Sequence, residues 1–194
     1  MIQSLMGVDP GRKGAIARVT LGAAENRLEF VRIDRLPREP DKLCEEIGAI
    51  VRAWRSEGPI LGCGLEEPFG VPGQGNQLSY GRCFGHLETA LMLTGIPVHL
   101  HYPVHWQPRV MTRFRGVPAK VLIAHAFRQL FTLPEELYEH EGLVDAAMIA
   151  LAEGVALGVI KKPTINWTPY EATPKETRRA REERTKRDKQ SVAL

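Results

Sequence analysis

Acidic side chains stand at positions where predicted strands end or a predicted helix begins. Asp9 ends an apolar run in MGVDPGRKGAIARV, and Glu66 directly follows the apolar run ILGCGL. Asp145 lies near the start of the alanine-rich segment EHEGLVDAAMIALAEG, and Glu141 lies four residues earlier, on the same face of a helix. A carboxylate within such an apolar segment is costly to bury unless it is paired or binds a metal.

Converging carboxylates without His or Cys partners suit a hard cation. Mg²⁺ and Mn²⁺ prefer oxygen ligands, and Mg²⁺ usually shares its coordination shell with substrate phosphates. Two such ions about 4 Å apart can activate a water and stabilise the leaving oxygen in phosphodiester cleavage. Each acid also has a structural alternative, namely a turn at Asp9, a solvated loop acid at Glu66 or Glu67, and a helix cap at Asp145. Their joint occurrence at element ends favours the metal-binding hypothesis.

The elements that must position these acids follow the order βββαβαβαα. Strands are predicted at 2–8, 14–21, 27–33, 60–65 and in a short segment through His101; helices are predicted at 41–54, 78–93, 117–131 and 142–160. Segment 102–118 is predicted to be a basic connection punctuated by prolines. A hairpin followed by strands that alternate with helices indicates an α/β fold with a mixed sheet covered by helices.

Length and composition indicate one domain at 1–160, followed by a basic C-terminal arm at 161–194, either flexible or helical. Eight basic and five acidic residues lie in 171–194, so this segment carries the whole net charge of +3. Such an arm can hold a polyanion, or it is simply a solvated tail. The three cysteines form no CxxC pair, which disfavours a zinc site or a disulfide framework. With no signal peptide and no membrane-spanning run recognised, we expect a reduced, cytoplasmic protein without membrane contact.

Three blocks of the chain resemble the RuvC-type Holliday junction resolvases, especially their bacteriophage-like branch. The blocks are MGVDPGRKGAIA, GLEEPFGVPGQGNQLSYGRCFGHLETAL and EGLVDAAMIALAEG, and the resemblance spans roughly residues 1–159. It implies an RNase H-like fold with a central five-stranded mixed sheet. It also implies a homodimer that resolves four-way junctions and other branched DNA by paired symmetric nicks, in the host cytoplasm if phage-encoded.

The resemblance further implies a site that uses two Mg²⁺ or Mn²⁺ ions, cuts by in-line attack of an activated water, and leaves 5′-phosphate and 3′-hydroxyl ends. Its metal ligands and catalytic acids are Asp9, Glu66, Asp145 and Glu141. Glu66 matches better than Glu67, because the family's acid directly follows an apolar pair. Glu141 stands where the family has a further Asp or His, although its spacing to Asp145 is four residues rather than three. Lys120 matches a basic catalytic residue near the scissile phosphate.

The resemblance also implies DNA contacts in the loop after Glu66 and in the basic connection. The implied DNA-binding residues are Phe69, Gly73, Gln74, Arg82, Arg109, Arg113, Arg115 and Lys120. Phe69 matches an aromatic wedge that stacks on unpaired bases, an interaction worth ~1–3 kcal/mol per base; its structural alternative is packing beneath the loop. Arg82 contacts phosphates or merely faces solvent. A second family lysine has no clear counterpart in HWQPR, where Gln107 holds the matching place.

Other functions remain open at this stage. A related RNase H-like nuclease, such as a flap nuclease or an RNase H, would need the same carboxylates. An actin-like ATPase also begins with a strand followed by DxG, but it duplicates the unit, and this chain has one copy. A non-catalytic DNA-binding module would use the arm, with the acids as relics.

Overall fold

The computed structural model describes residues 3–11, 13–21, 27–67 and 77–171, with the side chains of 77–80 and 171 excepted. The described strands are β1 (Gln3–Asp9), β2 (Ala15–Leu21), β3 (Arg27–Arg32), β4 (Ile60–Glu66) and β5 (Val98–His101). The described helices are α1 (Pro40–Glu57), α2 (Gln77–Leu93), α3 (Pro103–Val110), α4 (Ala119–Leu130), α5 (Glu135–Tyr138), α6 (Glu141–Ala156) and α7 (Thr168–Glu171). A single 3₁₀ turn at Ile33–Arg35 joins β3 to the segment before α1.

The strands form one mixed sheet in the order β3-β2-β1-β4-β5. β2 pairs antiparallel with both β1 and β3, while β4 pairs parallel with both β1 and β5. The register places Val8 beside Leu65, so the next residues, Asp9 and Glu66, end neighbouring strands at the same edge of the sheet. The predicted five-stranded mixed sheet is therefore confirmed, and its topology brings two of the predicted acids together.

Helices cover the two faces of the sheet, because alternate residues of a strand point to opposite sides. On β1, Leu5 belongs to the core that includes α3, α4 and α6, whereas Met6 belongs to the core that includes α1 and α2. Both side chains are fully buried. Trp54 and Phe131 are buried on opposite faces of the sheet.

Helix α6 lies very close to β1, at a glycine. A Cβ atom at Gly7 would overlap the backbone of Ala146 and Ala150. Both alanines are fully buried, and their small side chains allow the helix to approach the strand. This close approach determines where α6 carries Asp145 relative to the end of β1.

The segment predicted as an irregular connection contains helix α3, so that prediction is wrong for residues 103–110. Pro103 occupies the first turn, where its missing N–H costs nothing. Pro108 lies inside the helix and leaves the Val104 carbonyl without its usual donor, but Val104 is exposed, and water can satisfy that oxygen. Burial of Trp106 and Val110 then stabilises a helix that the local sequence disfavours.

The last long helix is shorter than predicted. The sequence pattern extends it through residue 160, but α6 ends at Ala156. Gly158 adopts a positive φ of 70°, which favours glycine, and Val159 and Ile160 donate their N–H groups to the Gly154 carbonyl. These bonds satisfy the helix end and turn the chain away from the axis.

The beginning of the predicted arm contacts the rest of the chain. Ile165 is buried, Lys162 Nζ donates to the Pro108 carbonyl at 2.8 Å, and the Asn166 N–H donates to Gln129 Oε1 at 2.9 Å. Residues 172–194, which carry most of the predicted basic arm, lie outside the described residues. None of the helices in the described ranges combines the length and apolar character needed to cross a membrane.

Candidate active site

Asp9 ends β1 with its carboxylate held by the following turn. The backbone N–H of Gly11 donates to Asp9 Oδ1 at 2.9 Å. Burial raises the pKa of Asp9 above its ordinary value, although the Gly11 hydrogen bond and the positive charge of Lys120 act in the opposite direction. The turn therefore fixes one oxygen of a carboxylate that is partly withdrawn from water.

Glu66 ends β4 and is fixed by an indole. Trp106 Nε1 donates to Glu66 Oε2 at 2.7 Å. Burial and, to a smaller extent, the negative charge of Asp9 raise the pKa of Glu66 to about 7, against the opposing effect of the Trp106 hydrogen bond. The charge effect shows that Asp9 and Glu66 interact electrostatically, as their neighbouring strand ends require.

Asp145 comes to this pair from α6. All other residues of α6 from Gly142 to Gly154 are buried, and Asp145 alone among them is partly exposed. Burial, together with the negative charges of Asp9 and Glu66, raises the pKa of Asp145 to about 7. The structure thus brings Asp9, Glu66 and Asp145 into one electrostatically coupled group.

This group of carboxylates has the chemistry of a site for a divalent cation. Its members hold their protons more strongly than ordinary carboxyl groups do, because burial and nearby negative charge disfavour their charged forms, and a bound cation would oppose both effects. In the part of the chain that the structure describes, no three His, Cys, Asp or Glu side chains form a ready-made set of metal ligands. Mg²⁺ is commonly bound by one or two carboxylates together with water and substrate phosphates. The oxygen donors present fit such a partly open site.

Lys120 and Glu141 form an ion pair beside the acids. Lys120 Nζ lies 2.7 Å from Glu141 Oε2, and each side chain is 72 % exposed. The hydrogen bond to Lys120 lowers the pKa of Glu141, and the same bond raises the pKa of Lys120. Lys120 also interacts electrostatically with Asp9 and Asp145, which places its charge near the coupled acids. Glu141 has Lys120 as its partner, and its role as a metal ligand stays a prediction.

The predicted DNA-binding residues are only partly covered by the structure. Phe69, Gly73 and Gln74 lie outside the described residues. Lys120, Arg82 and Arg115 are exposed, as a contact with DNA would require. Arg113 is exposed and donates from Nη2 to Gln107 Oε1 at 3.1 Å, and half-buried Arg109 donates to a histidine. Their contacts with DNA remain predictions.

A polar network around a buried acid, next to Glu66, was missed by the sequence analysis. The carboxylate of Glu153, on α6, is fully buried and lies between two histidines of β5. His99 Nδ1 is 2.5 Å from Glu153 Oε1, and His101 Nε2 is 2.7 Å from Glu153 Oε2. Arg109 Nη1 lies 3.1 Å from His101 Nδ1. The network joins α3, β5 and α6.

The geometry of this network defines how its protons are arranged. A guanidinium can only donate, so His101 Nδ1 accepts from Arg109, and His101 Nε2 carries the proton that is donated to Glu153. Burial alone would raise the pKa of Glu153, but the hydrogen bonds from His101 and His99 lower it below its ordinary value. The sequence signals were the alternation in VHLH, which places both histidines on one side of a strand, and an acid in an otherwise apolar helix.

We expect Glu153→Gln to lower the free energy of unfolding by about 1–2 kcal/mol near pH 7, because a buried charged acceptor is lost. The pKa of Glu153 is lowered in the folded state, so its stabilisation is complete above its ordinary value of 4.5 and is lost as the pH falls through the folded value. The difference in Tm between the two proteins should therefore narrow below about pH 4.5. Thermal unfolding from about pH 7 to pH 3 measures this.

Glu46→Gln is the matched control for that series, since Glu46 is exposed within a long helix, α1. We expect it to change stability by less than about 0.5 kcal/mol. A constant Tm difference between Glu153→Gln and the unchanged protein over the whole pH range would contradict the assigned charge of Glu153.

The sheet order, the helices on both faces and the acids at adjoining strand ends define an RNase H-like fold, of the kind found in RuvC. RuvC from T. thermophilus in complex with a Holliday junction substrate aligns with a TM-score of 0.53 at 20 % identity, covering 83 % of this chain and 98 % of that chain. A second Thermus thermophilus RuvC structure aligns with a TM-score of 0.52 at 21 % sequence identity, covering 83 % of this chain and 99 % of that chain. The yeast mitochondrial Holliday junction resolvase Ydc2 aligns with a TM-score of 0.49 at 13 % sequence identity, covering 76 % of this chain and 75 % of that chain.

No protein family model and no curated protein sequence matches the chain. The structural likeness to RuvC confirms the RNase H-like fold that the three sequence blocks predict. The bacteriophage-like branch stays a prediction.

Proposed function

We propose that this chain is a divalent-metal-dependent endonuclease that resolves Holliday junctions and other branched DNA by paired symmetric nicks. The observation that carries the proposal is geometric: Asp9 and Glu66 end neighbouring strands of a RuvC-like sheet, and α6, which packs against β1 at Gly7, brings Asp145 to them. RuvC from T. thermophilus, which shares the fold, has been solved with a Holliday junction substrate. The crossover junction endodeoxyribonuclease activity of this chain is part of the proposal.

The donor set fits Mg²⁺ or Mn²⁺, with Asp9, Glu66 and Asp145 as ligands and Glu141 as a further candidate. When bound, such cations supply Lewis-acid activation of water and neutralise charge at the phosphate. The chain itself orients the ligands, since Gly11 holds Asp9 and Trp106 holds Glu66. The charge of Lys120 favours the developing negative charge at the phosphate.

One cleavage experiment tests the proposal. Purified protein is incubated with a fixed four-way junction, a flap, a plain duplex and an RNA–DNA hybrid, each with Mg²⁺, Mn²⁺ or EDTA. We expect paired symmetric nicks in the junction with either metal, and no cleavage in EDTA. Product ends should be 5′-phosphate and 3′-hydroxyl.

Other outcomes of that experiment would assign a different function. Cleavage of the hybrid alone would identify an RNase H, and preferential cleavage of the flap would identify a flap nuclease. Failure to cut any substrate with either metal would contradict a nuclease function. The carboxylates do not separate these activities, because all RNase H-like nucleases of this kind need them.

The proposal includes a second copy of the chain. A four-way junction has two opposed strands to cut, and symmetric nicks follow when a two-fold homodimer places one site on each. The proposed nuclease domain is 1–160, followed by a basic arm at 161–194, and the proposed location is the cytoplasm. Truncation after residue 160 tests the arm through the salt dependence of DNA binding. An unchanged slope would argue against a contact between the arm and phosphates.

We expect Lys120→Met to lower the single-turnover cleavage rate of the junction by about 10²-fold, because a positive charge near the phosphate is lost. Stability should change by less than about 1 kcal/mol, since the pair with Glu141 is exposed. Lys42→Met is the matched control, because Lys42 lies in the first turn of a helix and pairs with Glu39 at 3.6 Å. An unaltered cleavage rate in Lys120→Met would contradict the proposed role of Lys120 in the reaction.

A further inference from the structure

The side chain of Trp106, on α3, contacts Glu66 directly. Trp106 is 1 % exposed and belongs to the core on the α6 side of the sheet. Its indole Nε1 donates to Glu66 Oε2 at 2.7 Å. Because an indole N–H can only donate, the carboxylate must accept this bond.

We propose that Trp106 is a positioning residue that fixes Glu66 for metal binding, with Oε2 held by the indole and Oε1 presented to the cation. This inference rests on the proposed metal-dependent function. It makes Glu66 a ligand through one oxygen, in an orientation set by the core rather than by the metal. Partners that hydrogen-bond a metal-binding carboxylate commonly change metal affinity by 10–100-fold when they are removed.

The position of the indole is determined by the fold around it. Strand β5 pairs with β4 so that His101 lies beside Glu66, and α3 begins immediately after β5. The backbone N–H of Trp106 donates to the backbone carbonyl of Tyr102 at 3.2 Å in the first turn of α3. Arg109, one turn further along α3, donates to His101. The helix is thus attached at both ends to the strand next to Glu66, which limits movement of the indole.

The next residue, Glu67, makes a similar hydrogen bond with an exposed aromatic side chain. Glu67 accepts a hydrogen bond from the hydroxyl of Tyr102 at 2.8 Å, but this contact is exposed. Glu66 and Glu67 are therefore both bonded by an aromatic side chain, and they differ in burial of the donor. Tyr102→Phe removes a donor from the adjacent carboxylate and serves as the matched control for Trp106→Phe.

The test measures Mn²⁺ binding by electron paramagnetic resonance, on the full chain and without DNA. We expect Trp106→Phe to bind Mn²⁺ about 10–100-fold more weakly, and Tyr102→Phe to stay within about twofold of the unchanged protein. In cleavage assays, Trp106→Phe should require more Mn²⁺ for half-maximal rate, yet approach the normal rate at saturating Mn²⁺. A merely structural role for Trp106 would lower the rate at every metal concentration.

A measurement on the unchanged protein covers the case in which Trp106→Phe does not fold. In ¹H–¹⁵N spectra, we expect the indole signal of Trp106 to shift on Mg²⁺ addition, while those of Trp54 and Trp167 stay in place. Trp54→Phe and Trp167→Phe assign the three signals. An unmoved Trp106 signal at saturating Mg²⁺, or equal Mn²⁺ affinity in Trp106→Phe, would overturn the inference and leave the proposed nuclease intact. Absence of metal binding by the unchanged protein would instead overturn the proposed metal site, and this inference with it.

Discussion

Asp9→Asn should bind a four-way junction with nearly unchanged affinity and cut it at least on the order of 10³-fold more slowly. Asp9 is coupled to both Glu66 and Asp145, so loss of its charge affects the whole group of acids. Residues that act as a unit in catalysis typically give losses of this size when one is removed. Single-turnover cleavage with Mg²⁺ and a gel-shift titration in EDTA measure the two quantities separately.

Asparagine is the right replacement, because it keeps the local turn. An amide oxygen can still accept the Gly11 N–H that bonds Asp9 Oδ1 at 2.9 Å, whereas alanine would remove both the charge and this bond. Asp41→Asn, at an exposed position in the first turn of α1, is the control for a general effect of lost negative charge. Near-normal cutting by Asp9→Asn with Mg²⁺ present would contradict the assignment of this acid to the site.

The same variant has a second expected effect, on stability. Burial raises the pKa of Asp9, Glu66 and Asp145, and negative neighbours add to this shift for Glu66 and Asp145, so the ionised forms of these acids oppose folding when no cation is bound. We expect Asp9→Asn to increase the free energy of unfolding in EDTA by about 0.5–2 kcal/mol near neutral pH. A more stable but inactive variant would separate loss of function from loss of structure.

The sequence was sufficient where a structural signal is local. The apolar runs that end at Asp9 and Glu66 predicted two strands almost to their last residues. A buried strand can be recognised from the apolar character of a few consecutive residues. The carboxylate pattern then indicated the edge of the sheet at which we propose the active site. Helix α3 was not predicted, because Pro108 disfavours a helix locally and the stabilising burial of Trp106 depends on the rest of the fold.

The partners of the site residues were also beyond reach from the sequence. Glu66 and Trp106 are 40 residues apart, and His101 and Glu153 are 52 residues apart. No periodicity connects such pairs, because each contact depends on the register between strands and on the placement of α3 and α6. Glu141 shows the same limit in another way, since spacing placed it on the face of Asp145 but did not indicate its ion pair with Lys120.

The contact between α6 and β1 leads to the second large effect. Gly7→Ala should lower the free energy of unfolding by at least about 3 kcal/mol, at the upper end for overpacked cores. The added Cβ would overlap backbone atoms of Ala146 and Ala150, and backbone cannot move aside as a flexible side chain can. For a chain of this size, we expect Tm to fall by about 6–12 °C.

Gly85→Ala provides the contrast, because a Cβ at Gly85, within α2, would meet no described atom within 4 Å. There alanine should be neutral or stabilising by up to about 1 kcal/mol, as expected for glycine replaced inside a helix. A Tm for Gly7→Ala within about 2 °C of the unchanged protein would show that α6 does not lie this close to β1.

Gly7→Ala should also reduce cleavage in the fraction of protein that remains folded. The only way to admit the new methyl group is to move α6 away from β1, and α6 carries Asp145 while β1 carries Asp9. Productive geometry in active sites is commonly lost with displacements of about 1 Å. Cleavage should be measured well below the lowered Tm. A reduced rate that added Mn²⁺ does not restore would indicate this displacement, whereas the weakened metal affinity expected of Trp106→Phe is overcome by added Mn²⁺. A glycine without a functional group would then determine whether the acids of the site meet.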